Sequence, residues 1–155
     1  MSERDPKAEA VVLARKAEGD AKAMRALASV SDIDDEAIGF HAQQAVEKWL
    51  KAVLGSRGIG FEYTHDLRRL IAEVTAAVGE FPFDIAEVIA LTEHAVPLRY
   101  DEILDTEPLD RDATVNLVNE VGEWAKAQLS EAAKGESGEE GEDSPSDDSD
   151  TKTDG

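Results

Sequence analysis

The chain of 155 residues is long enough for one domain with its own core, and because it contains no cysteine, disulfide bonds and thiolate metal sites are excluded. Its formal net charge is −19, and residues 1–130 alone contain 14 basic and 25 acidic residues. This composition excludes a broad basic surface that binds a nucleic-acid backbone, but it allows a small basic patch. Apolar runs are only a few residues long and the N-terminus lacks the order of a signal peptide, so we expect a cytoplasmic protein without a membrane span.

Apolar residues recur at helical spacing in five segments of the chain. These segments cover about residues 6–29, 36–54, 65–78, 84–95 and 111–131. No segment shows the persistent alternation of a β-strand, and the sequence contains no internal repeat. The pattern therefore predicts an all-α, antiparallel up-and-down bundle of four to five helices.

Local signals predict where several of these helices begin and end. Asp5 and Asp84 each stand where a helix cap is expected, directly before a helical segment. We expect Thr64 to cap the third helix. Gly55 and Gly79 follow the last apolar residues of the second and third helices, which is typical of a glycine helix end.

The last part of the chain differs in composition from the rest. After Ala133 the sequence consists of Gly, Ser, Thr, Pro, Lys, Asp and Glu, with no large apolar residue. Such a segment cannot bury enough apolar surface to offset the entropy lost on ordering it. We therefore predict a helical domain over residues 1–133 and a disordered acidic tail over residues 134–155.

The second helix has the clearest amphipathic pattern. Its apolar side contains Ala42, Val46, Trp49, Leu50 and Val53. Lys48 and Lys51 lie on the opposite side, and Gln43 and Glu47 lie on the flank, one turn apart. Two interpretations follow: the charged residues form a solvated face with a Glu47–Lys51 pair, or Gln43 and Glu47 are partly buried and need a cation.

Three segments, in this order, resemble motifs of HEPN domains. Residues 44–52 read Q-A-V-E-K-W-L-K-A and are similar to the Q-x-x-E-K-x-L-K-A helix of that family. Residues 64–70 read T-H-D-L-R-R-L and resemble the T-H-D-L-x-x-L segment that follows it. Residues 98–101 read L-R-Y-D and resemble the later R-Y-acidic element. The resemblance covers about residues 10–130 and implies a helical bundle that is often a homodimer.

The resemblance also implies a partner. Such HEPN proteins are commonly encoded beside a minimal nucleotidyltransferase, as a two-component toxin–antitoxin cassette. We therefore expect this chain to be the non-catalytic or toxin-like half of such a system. It would bind the nucleotidyltransferase or a nucleotide or RNA ligand.

Many HEPN proteins are metal-independent ribonucleases with an R-x(4–6)-H motif, whose arginine stabilises phosphate charge and whose histidine moves a proton. This sequence departs from the motif. Seven residues separate Arg57 from His65, and His94 precedes Arg99 instead of following it. The ribonuclease site is therefore carried over to no residue, and the expectation leans towards a protein without enzymatic activity. Tyr100 also lacks the context of the tyrosine that a partner nucleotidyltransferase modifies in some family members.

Two alternatives stay open. The first is a metal-independent ribonuclease with a non-standard site, for which Arg99, His65 and His41 are the candidate catalytic residues. The second is a structural adaptor that binds neither nucleotide nor RNA. No metal or cofactor is predicted, because three dispersed histidines make a poor zinc site.

We expect the three motifs to meet in one polar cluster with a binding or structural role. Its predicted members are Gln43, Glu47, Lys48, Lys51, His65, Asp66, Arg99 and Tyr100. In this hypothesis Arg99 contacts Glu47 or Asp66, since a buried carboxylate needs a cation. Two interpretations of His65 and Asp66 are open. Either they form an acid–base pair, or, as we favour, Asp66 is an acid of the first helical turn and His65 points away from the apolar stripe.

Overall fold

The computed structural model describes residues 5–61, 64–95 and 108–140, and this part of the chain contains five helices. The helices are α1 (Pro6–Ala28), α2 (Asp35–Ser56), α3 (Leu67–Val78), α4 (Ile85–Ala95) and α5 (Arg111–Glu140). No strand occurs in the described ranges, and the prediction of an all-α helical bundle is confirmed. None of the helices in these ranges combines the length and the apolar character that crossing a bilayer requires.

The central helix of the bundle is α2, which packs against the other four. Every residue from Trp49 to Gly55 is buried, because neighbouring helices surround this part of α2. The apolar stripe predicted from the sequence lies in this core. Lys51, which the sequence places on the opposite side of α2, is also only 7% exposed. A helix enclosed by four others has no solvated side at this position.

Two glycines allow neighbouring helices to come close to α2. A Cβ atom on Gly55 would lie 2.5 Å from the carbonyl oxygen of Pro6, and one on Gly122 of α5 would lie 2.5 Å from the Trp49 ring. The prediction that Gly55 ends α2 is wrong, since the helix continues through Ser56. Gly55 serves the contact between α1 and α2, where no side chain fits.

The start of α3 also differs from the prediction. Asp66, and not Thr64, is the N-cap, because its carboxylate accepts a hydrogen bond from the backbone nitrogen of Arg68 at 3.0 Å. The Thr64 hydroxyl accepts from the backbone nitrogen of Asp66 at 3.1 Å, so α3 begins at Leu67, two residues later than predicted. An ionised aspartate gains from the helix dipole at this position, which threonine does not. Gly79 ends α3 in a left-handed conformation, as predicted.

Arg111, the first residue of α5, fastens the connection between α1 and α2. Its guanidinium donates hydrogen bonds to the Asp35 carboxylate at 3.1 Å and to the carbonyl oxygens of Val30 and Ile33 at 2.8 and 2.6 Å. The Asp35 carboxylate also accepts from the backbone nitrogen of Leu109 at 2.9 Å. Because arginine offers several donors in one plane, a single side chain holds three chain segments together.

The last helix is longer than the sequence predicts. α5 continues to Glu140, whereas the prediction ends it near residue 131 and starts a disordered tail at residue 134. Residues 131–134 read E-A-A-K, which are good helix formers, and residues 131–135 are exposed or only half-buried, so local helix propensity extends α5 here without core packing. The remaining part of the predicted tail, residues 141–155, lies outside the described residues.

Polar contacts join α1 to the antiparallel α5. The Lys126 ammonium lies 2.8 Å from the Glu18 carboxylate, and Arg25 donates to the Asn119 side chain at 2.8 Å. The hydrogen bond from Lys126 holds the pKa of Glu18 below its ordinary value of 4.5. Attraction to Lys126, Arg25 and Lys22 lowers this pKa further, while partial burial opposes the change.

Lys126→Met should raise the pKa of Glu18 towards 4.5. A carboxyl group with a lowered folded-state pKa contributes stability above its unfolded pKa, and this contribution is lost as the pH falls through the folded pKa. The variant should therefore lose less stability on acidification than the wild type, which urea unfolding measures, while NMR titration gives the Glu18 pKa. Lys16→Met is the control, because Lys16 is exposed and has no ion-pair partner among the described residues. An unchanged Glu18 pKa in Lys126→Met contradicts the prediction.

Candidate functional site

A buried carboxylate lies at the centre of the candidate site. Glu47 of α2 is 2% exposed, and both of its carboxylate oxygens accept hydrogen bonds. Oε1 accepts from Gln43 Nε2 at 3.0 Å and from His65 Nδ1 at 2.9 Å. Oε2 accepts from Lys51 Nζ at 3.3 Å. Because an unpartnered buried carboxylate is strongly destabilising, these three side chains allow Glu47 to remain in the core.

Two parts of the chain supply these groups. Gln43, Glu47 and Lys51 follow one another at intervals of four residues, so the helix stacks their side chains along one side of α2. His65 comes from residues 64–66, where side-chain caps fix the backbone just before α3. The cluster therefore ties the start of α3 to the middle of α2.

The exposed member of the cluster is His65. Its side chain is 79% exposed, although its Nδ1 atom is bonded to the buried Glu47. An ionised carboxylate only accepts hydrogen bonds, so the proton in this contact is on Nδ1, and in the neutral form of the ring Nε2 is then an acceptor. This ring, oriented by a carboxylate behind it, can accept a hydrogen bond from a ligand or exchange a proton with it.

The ammonium group of Lys51 faces inward. It lies 3.3 Å from the Glu47 carboxylate and 5.7 Å from the centroid of the Phe61 ring. Attraction to the carboxylate and to the ring face compensates for the hydration that the ammonium loses on burial. Lys51 is therefore a structural counter-ion of Glu47 and is not presented to the phosphate of a ligand.

A second carboxylate binds the histidine of α2. Asp20 of α1 accepts from His41 Nδ1 at 3.0 Å through one oxygen and from Lys48 through the other. Asp20 was not predicted as a site residue, although the sequence contains a signal for it. Asp20 lies beside Ala17 and Ala21 on the buried stripe of α1, and a carboxylate on such a stripe requires cations from the facing helix.

The structure divides the predicted polar cluster. The members that it brings together are Gln43, Glu47, Lys51 and His65. Lys48 and His41 instead bind Asp20, so the two histidines belong to different carboxylates. These contacts do not join His41 and His65 in one cluster, which the ribonuclease alternative would require.

The remaining predicted members of the polar cluster lie elsewhere in the structure or outside its described residues. Asp66 caps α3, which agrees with its interpretation as an acid stabilised by the helix dipole. Arg99 and Tyr100 lie outside the described residues, and so do the hypothetical contacts of Arg99 with Glu47 and Asp66. The side chain of His94 is also outside the described part of the structure.

The two carboxylate–histidine pairs offer hydrogen bonding and proton exchange at an imidazole. In each pair the carboxylate is also bonded to a lysine ammonium. Over residues 5–61, 64–95 and 108–140, no three His, Asp or Glu side chains are grouped so that they could hold a metal ion. The cation held by each carboxylate is therefore a lysine of the protein itself.

Glu47→Leu should destabilise the protein by about 3–5 kcal/mol, because Lys51 would remain buried without its counter-charge. Adding Lys51→Met should recover most of this loss, since an apolar pair of similar volume can replace a buried ion pair at little cost. Urea unfolding of the wild type, both single variants and the double variant gives the coupling energy. If the losses of the single variants simply add in the double variant, the two side chains are not coupled as described.

Comparison with known proteins places the chain in a family. Residues 10–128 match the family model of the HEPN domain. The matched span contains all of α2, α3 and α4, together with both carboxylate clusters. No curated protein and no solved structure matches the chain significantly. The resemblance seen in the sequence motifs is thereby confirmed, and the chain belongs to the HEPN domain family.

Proposed function

We propose that this protein is the binding half of a two-component system whose other half is a minimal nucleotidyltransferase. The observation that carries the proposal is a HEPN domain match over residues 10–128 in a chain without an R-x(4–6)-H motif. That motif would supply the charge stabilisation and the proton transfer that RNA cleavage needs. A HEPN bundle without the motif keeps its binding surfaces, which favours binding over cleavage.

The geometry of the Glu47 cluster supports the same preference. Lys51 is bonded to Glu47 and buried, so its ammonium is not placed to stabilise negative charge developing on a phosphate. Of the four members of the cluster, His65 is the one presented to solvent. A single oriented imidazole suits recognition of a hydrogen-bond donor, whereas phosphodiester cleavage also needs a group that stabilises charge.

The protein should co-purify with the nucleotidyltransferase encoded next to it. The tagged protein is co-expressed with the product of the adjacent reading frame, and the eluted complex is analysed by size-exclusion chromatography. Mass measurement of each chain then shows whether a nucleotide has been attached. An unrelated acidic helical bundle with the same tag is the control. The proposal is contradicted if the adjacent frame encodes another class of protein, or if its nucleotidyltransferase elutes separately.

The Glu47–His65 pair favours a second candidate function, which is metal-independent cleavage of RNA at a non-standard site. A carboxylate bonded to Nδ1 orients the ring and leaves Nε2 free, as in histidines that act as general bases. In this mechanism Nε2 removes the proton of a 2′-hydroxyl, the 2′-oxygen attacks the adjacent phosphorus, and the bond to the 5′-oxygen breaks. The departing 5′-oxygen takes up a proton from water, and the imidazolium of His65 returns its proton to the hydroxide left behind.

Cleavage is tested with structured RNA in the presence of a chelator. If His65 is the general base, His65→Gln should reduce the cleavage rate by about 10²-fold or more. His41→Gln tests the other candidate histidine, which is bonded to Asp20, and it should leave the rate unchanged if His65 is the general base. Equal rates for the wild type and His65→Gln remove His65 from any mechanism, and no cleavage by the wild type removes this candidate function.

A further inference from the structure

The outward side of α1 differs in charge from the rest of the protein. α1 contains five basic and three acidic residues, a net charge of +2, whereas the rest of the chain contains 11 basic and 32 acidic residues. Two of the three acids of α1 are bonded to other helices: Glu18 to Lys126, and Asp20 to His41 and Lys48. Their charges are therefore neutralised inside the bundle, while most cations of α1 are exposed.

Four of the outward residues form a continuous line. Val11, Arg15, Gly19 and Lys22 follow one another at intervals of four, four and three residues, and we call them the α1 strip. Val11 is 72% exposed. Arg15 and Lys22 are both exposed. Arg15 has no hydrogen-bond or ion-pair partner within the described part of the chain, whereas Lys22 is attracted to Glu18, one turn before it on the same helix. A Cβ atom added to Gly19 would meet no other atom within 4 Å.

The α1 strip borders a groove between α1 and α5. The groove has a volume of about 310 Å³ and is lined by Lys7, Ala10, Val11, Ala14, Ser56, Leu129, Ala132 and Ala133. Most of these side chains are small and apolar, and Val11 belongs to both the groove and the strip. The groove therefore offers space for apolar side chains of another molecule, with the Arg15 cation one turn along α1 from Val11 and Lys22 two turns further on.

We propose that the α1 strip and this groove dock an acidic segment of the partner protein. Apolar side chains of that segment enter the groove, and its carboxylates face Arg15 and Lys22. This inference rests on the proposed function, because the partner is the nucleotidyltransferase of the two-component system. Charge complementarity supports it: in a protein of net charge −19, the strip attracts an acidic partner while the other surfaces repel it.

The same features favour a protein partner over RNA or a second copy of this chain. Surfaces that bind unpaired RNA stack the bases on aromatic rings, and the apolar residue of the strip is an aliphatic valine. A two-fold contact between copies through the strip would bring Arg15 and Lys22 close to the same cations of the other protomer, and these like charges would repel each other. An acidic segment of another protein can pair its carboxylates with the cations and place its apolar side chains in the groove.

Substitutions of glycine allow a test that preserves the fold. Gly19→Glu places a carboxylate in the middle of the α1 strip, and the helix tolerates it because the Cβ position is open and glycine is unfavourable within helices. Ala76→Glu is the control, since it adds a carboxylate at an exposed position of α3, a helix that contributes no residue to the groove. Arg15→Glu reverses one cation of the strip without altering the lining of the groove.

The measurement is the affinity of each protein for the purified nucleotidyltransferase, by calorimetry at low and high salt. Gly19→Glu and Arg15→Glu should weaken binding by about tenfold or more, Ala76→Glu should leave it unchanged, and salt should weaken wild-type binding. Circular dichroism and urea unfolding verify that each variant is folded.

The possible outcomes separate this inference from the proposed function. Equal affinities of the wild type and all variants overturn the docking surface and leave the two-component function intact. A folded wild type that does not bind the nucleotidyltransferase overturns both. If the substitutions change only RNA binding, or only the mass of the isolated protein in light scattering, the surface serves RNA or a second copy and the inference fails.

Discussion

The bundle depends on the burial of a carboxylate in its central helix. Because four helices enclose α2, a polar side chain in its buried part has to find its partners inside the fold. Glu47 meets this requirement by binding His65, and the same bond ties the start of α3 to α2. Asp20 forms the same kind of carboxylate–histidine bond on another side of α2. It binds His41, and this bond ties α1 to the central helix. Two carboxylate–histidine pairs thus fix the positions of three helices.

The positions of the helices could be predicted because they depend on local chemistry. Apolar periodicity and capping residues act within a few neighbouring positions, and Gly79 and Asp84 have the predicted roles. Gly55 could not be interpreted in this way, since the approach of α1 to α2 is a property of the assembled bundle. Burial of Lys51 depends on how many helices surround α2, which the periodicity of α2 alone does not reveal.

A polar cluster around Glu47 could be predicted from the sequence, but most of the contacts within it could not. The rule that a buried carboxylate needs a cation correctly directed attention to Glu47. The partner expected for it was Arg99, whereas in the described residues the cation is Lys51, one turn away on the same helix. Such pairs are usually exposed and weak, so the sequence predicted this pair on a solvated face, whereas both of its side chains are buried. The bond from His65 depends on a turn whose course no periodic pattern encodes.

The close fit of Gly122 against Trp49 makes the tryptophan a natural optical reporter. The indole ring is buried in the core, and α5 lies so near that a single methyl group at residue 122 would overlap it. Detachment of α5 from α2 would admit water to this ring and shift its fluorescence emission to longer wavelength. Local opening of the last helix can thus be followed through Trp49 without any added label, once the second tryptophan, Trp124, is replaced by phenylalanine.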